Sequence, residues 1–80
     1  MREEVRDRKG NSIYLTDERW EHIIENHPEL MAHRAEVIST VRSGNREQDS
    51  MIPNKFHYNK KFPDLNEEFD EIEVVVLFKW

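Results

Sequence analysis

The segment EIEVVVLFKW, residues 71–80, is the most strongly apolar run in the chain and constrains the fold more than any other feature. Ile72, Val74, Val76 and Phe78 alternate with Glu73, Val75 and Leu77, the period of a β-strand, and β-branched side chains favour that state. Apolar residues on both faces predict a central strand with a neighbour on each edge. Because the run closes the sequence, a further strand must come from earlier in the chain, from a partner, or from residues not present. A strand of this kind left exposed invites pairing.

The rest of the chain supplies little apolar surface to build around it. Of 80 residues, 36% are hydrophobic and 36% charged, and the mean hydropathy is -0.93. That length implies one domain with a small core, which a partner chain is one way to complete. The absence of cysteine excludes disulfides and thiolate metal sites. No apolar run approaches the roughly 20 residues of a membrane helix. The start, MREEVRDRKG, lacks the hydrophobic region of a secretory signal, so the expectation is a soluble cytoplasmic protein with no membrane contact.

The net charge of -5 is unevenly spread. Residues 62–73 hold six acids (Asp64, Glu67, Glu68, Asp70, Glu71, Glu73) and no base, so the other 68 residues carry 11 acids and 12 bases. Between Arg42 and Lys61 the bases Arg42, Arg46, Lys55, Lys60 and Lys61 outnumber the acids Glu47 and Asp49, which allows an RNA-binding face there.

Along the chain, residues 3–8 read as an edge strand or frayed end, Lys9-Gly10-Asn11 as a turn, and Ile13 and Leu15 as part of a short extended segment. In WEHIIENHPEL, residues 20–30, Trp20, Ile23, Ile24 and His27 follow a helical stripe, while His22 lies off it. Thr16 is placed as N-cap, Asp17 and Glu18 complement the dipole, and Leu15 with Trp20 match a hydrophobic staple. Pro28 ends this helix and suits the first turn of a second. The inner face of that second helix carries Leu30, Arg34, Val37, Ile38 and Val41, and Ser43-Gly44 stops it. The two helices are expected to form a helical hairpin. After Gly44 the period turns extended, with strands expected over residues 46–51 and 55–60 around an Ile52-Pro53-Asn54 turn. In the second of these Phe56 and Tyr58 face one way and Lys55, His57 and Asn59 the other. Residues 62–70 read as a polar loop. The expected fold class is α+β, an N-terminal helical hairpin packed on one face of a small antiparallel sheet.

The stretch SIYLTDERWEHIIENHPEL, a short strand followed by Leu-Thr-x-Glu-Arg-Trp-x-His-Ile and His-Pro-Glu, resembles small phage- and toxin-associated domains of the barnase–EndoU–colicin–RelE nuclease superfamily. The resemblance covers residues 12–41. It implies two helices on an antiparallel sheet, metal-independent ribonuclease activity, and membership of a toxin–antitoxin or phage system with an antitoxin as partner. It gives His22 and His27 the standing of motif positions without fixing their roles.

Such cleavage needs a base for the 2′-hydroxyl proton, an acid for the leaving 5′-oxygen, and cations around the phosphate. His57, within KFHYNKK, is the first catalytic candidate, the alternative being a solvent-facing histidine beside solubilising lysines. His22 is the second, equally readable as surface solvation. Arg46 and Lys55 are candidate phosphate ligands. Tyr58 and Arg34 complete the substrate-binding set, although Tyr58 also reads as a packed ring and Arg34 as a snorkelling side chain. His27 and Trp20 are read as structural. No metal site is expected, because histidines at i and i+5 splay by about 140° on a helix. With glycine only at positions 10 and 44, no nucleotide-cradling loop and no cofactor are expected. The rival to catalysis is a non-catalytic interaction module of the same fold, using the acidic segment and the last strand for a protein partner or a homodimer. A weaker third reading is a nucleic-acid mimic built on the acidic segment.

Overall fold

A hairpin opens the chain because DRKGN encodes its turn. Asp7 and Gly10 bracket a tight turn, with the Gly10 N–H donating to the Asp7 carbonyl at 3.1 Å and the Asp7 N–H donating to the Asn11 carbonyl at 3.1 Å. Gly10 has φ +82°, the left-handed conformation that glycine adopts without steric cost. The computed structural model describes residues 2–65 and 69–78. In it, β1 (Arg2–Arg6) and β2 (Ser12–Thr16) pair antiparallel, from Arg2↔Thr16 to Arg6↔Ser12.

Helix α1 (Asp17–Asn26) follows directly, and the Thr16 hydroxyl accepts from the Arg19 N–H at 3.1 Å, the expected N-cap. His27 ends it with φ -137° and ψ 70°, its N–H donating to Ile23. A single 3-10 turn, Pro28–Leu30, comes next, and α2 (Arg34–Ser43) begins only after it. Proline disfavours helical geometry at His27, and the chain closes this stretch with i→i+3 bonds such as Leu30 N–H to the His27 carbonyl, so the second α-helix starts later than Pro28.

Gly44 stops α2 and launches β3 (Asn45–Gln48), which continues into β4 (Lys55–Lys61) and β5 (Glu71–Leu77). These form a separate antiparallel sheet in the order β3-β4-β5, with Glu47↔His57↔Val75 in one cross-strand row. The core lies between α2 and the inner face of this sheet. It holds Val37 and Val41 of α2, Phe56 and Tyr58 of β4, Ile72 of β5, and Val5 from the hairpin, whose strand β1 lies against α2.

The architecture is α+β, with two corrections. First, among the described residues no helical hairpin packs on the sheet: α2 does so, whereas α1 lies mainly against β2 and the 3-10 turn and buries no residue. Its stripe is covered in part by Arg34, whose guanidinium stands 5.3 Å from the Trp20 ring centroid. Second, β5 is an edge strand among the described residues, and its outward side chains Val75 and Leu77 are 49% and 57% exposed.

Candidate functional site

Backbone alternation splits the polar and charged residues of the three-stranded sheet between two faces. The inner face carries Arg46, Tyr58 and Lys60, while Lys55, His57, Asn59, Glu71 and Glu73 belong to the outer face.

On the inner face, Tyr58 is 0% exposed and its hydroxyl donates to Asp7 Oδ2 at 2.7 Å. The Asp7 carboxylate also accepts from the N–H groups of Lys9 and Asn11 and from the Asn11 side-chain amide. Burial works to raise the Asp7 pKa, yet these donors together hold it below the ordinary value. Burial, then the hydrogen bond to Asp7, pushes the Tyr58 phenol up to about 12. Arg46 lies 3.5 Å from Asp7 Oδ2, donates to the Tyr58 oxygen at 3.3 Å, and stacks 3.7 Å from the Phe56 ring centroid. Tyr58 therefore has no ring face to offer a base, and the Arg46 guanidinium is occupied by the core. Lys60 is engaged too, donating to the hydroxyls of Ser39 and Ser43 at the end of α2.

The outer face holds the principal constellation. His57 Nε2 lies 2.8 Å from Asp49 Oδ1 and its Nδ1 lies 2.7 Å from Glu73 Oε1, a diagonal that spans the sheet from the end of β3 to β5. An ionised carboxylate only accepts, so a carboxylate at each ring nitrogen favours the form in which both nitrogens donate, the imidazolium. Asp49 first, then Glu73, raises the His57 pKa above 6.5. Asp49 is held at about 2 by His57 first and then by the N–H groups of Ile52 and Met51, which cap its turn. An open hollow of about 310 Å³ adjoins this trio, with Glu47, Gln48, Ser50 and Asn59 completing its lining. Among the described residues no group of three or more His, Cys, Asp or Glu is placed to hold a metal ion, and here the two carboxylates sit on opposite ring nitrogens.

The signs of these shifts set a pH window. A raised His57 pKa contributes stability that is complete below 6.5 and is lost as pH rises through the folded value. The depressed Asp49 pKa contributes above 3.8 and is lost as pH falls through about 2. The trio is thus strongest between about pH 3.8 and 6.5. A proton NMR titration of the His57 ring should give a midpoint above 6.5 that falls in Glu73→Gln. A midpoint at or below 6.5, unmoved by that change, would remove the double ion pair.

The remaining candidates are dispersed. Lys55 shares the outer face with His57, whereas Arg46 points through the opposite face, so the phosphate-clamp grouping of Arg46 with Lys55 and His57 does not assemble in one cleft. His22 lies exposed on α1, with Glu25 at 3.9 Å. His27 is structural through its backbone, but its ring is exposed and meets Glu29 at 3.2 Å rather than packing. Helical phase ceases to apply once His27 leaves helical geometry, which explains the difference. Arg34 reaches Glu3 at 3.5 Å as well as Trp20, tying α2 to β1 and α1.

A second hollow, of about 340 Å³, lies where the 3-10 turn faces the start of β5. Leu30, Phe69 and Ile72 give it an apolar lining, Glu29, Glu71 and Glu73 give it carboxylates, and the His27 ring completes it. Of the acidic segment named in the sequence, Glu67 and Glu68 lie outside the described residues, as does Trp80.

Sequence reading missed Asp7, Asp49 and Glu73 as partners. Asp7 and Asn11 around a glycine turn, and Asp49 before Met51-Ile52-Pro53, were the available signals, since aspartate at such positions binds local N–H groups. Their long-range partners carry no local signal. Comparison with family models, with curated proteins and with solved structures finds no match for this chain.

Proposed function

We propose that this protein is an interaction module that takes an extended segment of another protein onto the free edge of β5. The observation that carries the reading is the state of that edge. Phe78 and Asp70 bond toward β4 at either end of the strand, which fixes the alternation between them. Ile72, Val74 and Val76 therefore bond inward, and Glu71, Glu73, Val75 and Leu77 direct N–H and C=O groups outward, with no neighbour beyond them among the described residues. The Met51-Ile52 turn lies at the Leu77 end of the sheet, and all four of Met51, Ile52, Val75 and Leu77 are exposed. Open backbone beside apolar side chains is the arrangement that strand addition uses.

Self-pairing fits less well. An antiparallel β5–β5 register sets Glu73 against Leu77 or Val75 of the second copy, placing carboxylates on apolar surface. The test is Val75→Pro. Its N–H points outward, so proline removes an edge donor and blocks docking while leaving the bonds to β4. Extended peptides selected from a displayed library on the parent protein should lose binding to this variant, with its circular dichroism unchanged. Equal binding to both proteins would sink the reading, and a sedimentation-equilibrium dimer lost in Val75→Pro would replace it by self-pairing.

A second reading, favoured by the Glu73–His57 contact, is the ribonuclease chemistry that the barnase–EndoU–colicin–RelE resemblance implies. Glu73 would take the 2′-hydroxyl proton as the 2′-oxygen attacks phosphorus. His57 would protonate the departing 5′-oxygen, leaving a cyclic phosphate. Lys55 is the nearest cation on the face, but the hollow presents Glu47, Asp49 and Glu73 to an anionic substrate, which favours the interaction module. RNA cleavage in EDTA that drops about tenfold or more in His57→Ala would restore catalysis to first place. Absence of any cleavage would end it.

A further inference from the structure

We infer that the segment received by β5 is one whose apolar half lies along Val75 and Leu77 and whose basic half reaches the hollow beside the 3-10 turn, so that a lysine or arginine enters it. This rests on the docking reading above and specifies the partner's chemistry.

The free edge is graded along its length. Its outward residues run Glu71, Glu73, Val75, Leu77, from acidic to apolar in about 20 Å of strand. At the apolar end stand Ile52 and Met51, the latter 87% exposed. At the acidic end the edge does not run on into open solvent, because the 3-10 turn faces it across the second hollow. That hollow suits a long basic side chain. Leu30, Phe69 and the buried Ile72 can cover a methylene stem, while Glu71 and Glu73 face the charged head beside Glu29, whose Oε1 also meets the His27 ring at 3.2 Å. Glu73 gives one oxygen to His57, at Oε1, and keeps Oε2 for a second donor.

Charge also sets the direction of fit. An antiparallel segment has its N-terminal end opposite Leu77 and its C-terminal end opposite Glu71, so it reads apolar-x-apolar-x-basic-x-basic. Antiparallel pairing is the better hydrogen-bonded of the two orientations. A second copy of β5 in that direction would bring Leu77 to the acidic end, which is the wrong chemistry for the hollow.

The probe is a peptide with blocked ends, Val-Thr-Val-Thr-Lys-Thr-Lys, titrated into the full chain and followed by amide chemical shifts. Shifts are expected at Glu71, Glu73, Val75 and Leu77, and at Leu30 and Phe69 across the hollow. Replacing both lysines of the peptide by glutamate should weaken binding about tenfold or more, since each tenfold step is only about 1.4 kcal/mol. Glu29→Gln combined with Glu71→Gln should weaken the lysine peptide and leave a glutamine version of it unaffected. Equal affinity for lysine, glutamine and glutamate peptides, with shifts still on β5, would overturn the basic assignment and leave strand docking standing. Shifts confined to other surfaces, or no binding by any of the peptides, would overturn both.

Discussion

Asp7→Ala is expected to cost about 3 kcal/mol and to lower the thermal midpoint by roughly 10–20 °C. Asp7 is the point where the β1–β2 hairpin is fastened to the main sheet, with a side chain only 1% exposed. Alanine removes the acceptor for the Tyr58 hydroxyl, for two backbone N–H groups and for the Asn11 amide. It also leaves Arg46 without its carboxylate. Each orphaned buried donor costs about 1–3 kcal/mol, although the partly exposed Arg46 can turn to water. Tyr58→Phe keeps the ring and deletes only the hydroxyl, so a smaller loss of about 1–2 kcal/mol is expected. Thermal unfolding followed by circular dichroism gives both values. An Asp7→Ala midpoint equal to that of the parent would mean that the hairpin is held by something else.

Gly44→Ala should be of similar size, about 3 kcal/mol, for a different reason. Gly44 has φ -72° and ψ 170°, a conformation any residue adopts, so strain in the dihedrals is not the cause. A Cβ would meet the carbonyl oxygen of Thr40 and, at 2.6 Å, that of Asn59. Both are backbone atoms, one ending α2 and the other in β4, and neither yields as a side chain would. Gly10→Ala provides the contrast. There φ is +82° and a Cβ has open space around it, so the cost is only the left-handed conformation, about 1 kcal/mol. Urea unfolding of the two variants separates close approach from dihedral strain. A Gly44→Ala protein no less stable than Gly10→Ala would show that α2 and β4 can part without penalty.

Much of the local structure was legible because its causes are local. Thr16 begins α1, Gly44 ends α2, and alternation in KFHYNKK put His57 and Tyr58 on opposite faces, as found. The helical hairpin was not legible. Whether α1 reaches the sheet depends on the path of His27 to His33, where proline diverts the chain into a 3-10 turn. The β1–β2 pairing was missed for a related reason: a polar strand gives no hydrophobic signal, and only the turn chemistry marks it.

The candidate site divides along the same line. The sequence by itself determined that His57 belongs to a surface strand with lysines, and that β5 carries apolar residues on both faces. Tertiary structure decided what surrounds them. Asp7 and Tyr58 are 51 residues apart and meet only because the hairpin folds back onto the sheet, and that meeting takes Arg46 out of any phosphate site. His57 finds carboxylates on both sides because β3 and β5 flank β4, which raises its pKa and favours the protonated ring. The strand read as central becomes an edge because the chain offers nothing further to pair with it among the described residues. A residue's type and phase are written in the chain. Its charge state and its availability depend on which distant groups the fold brings within hydrogen-bond reach.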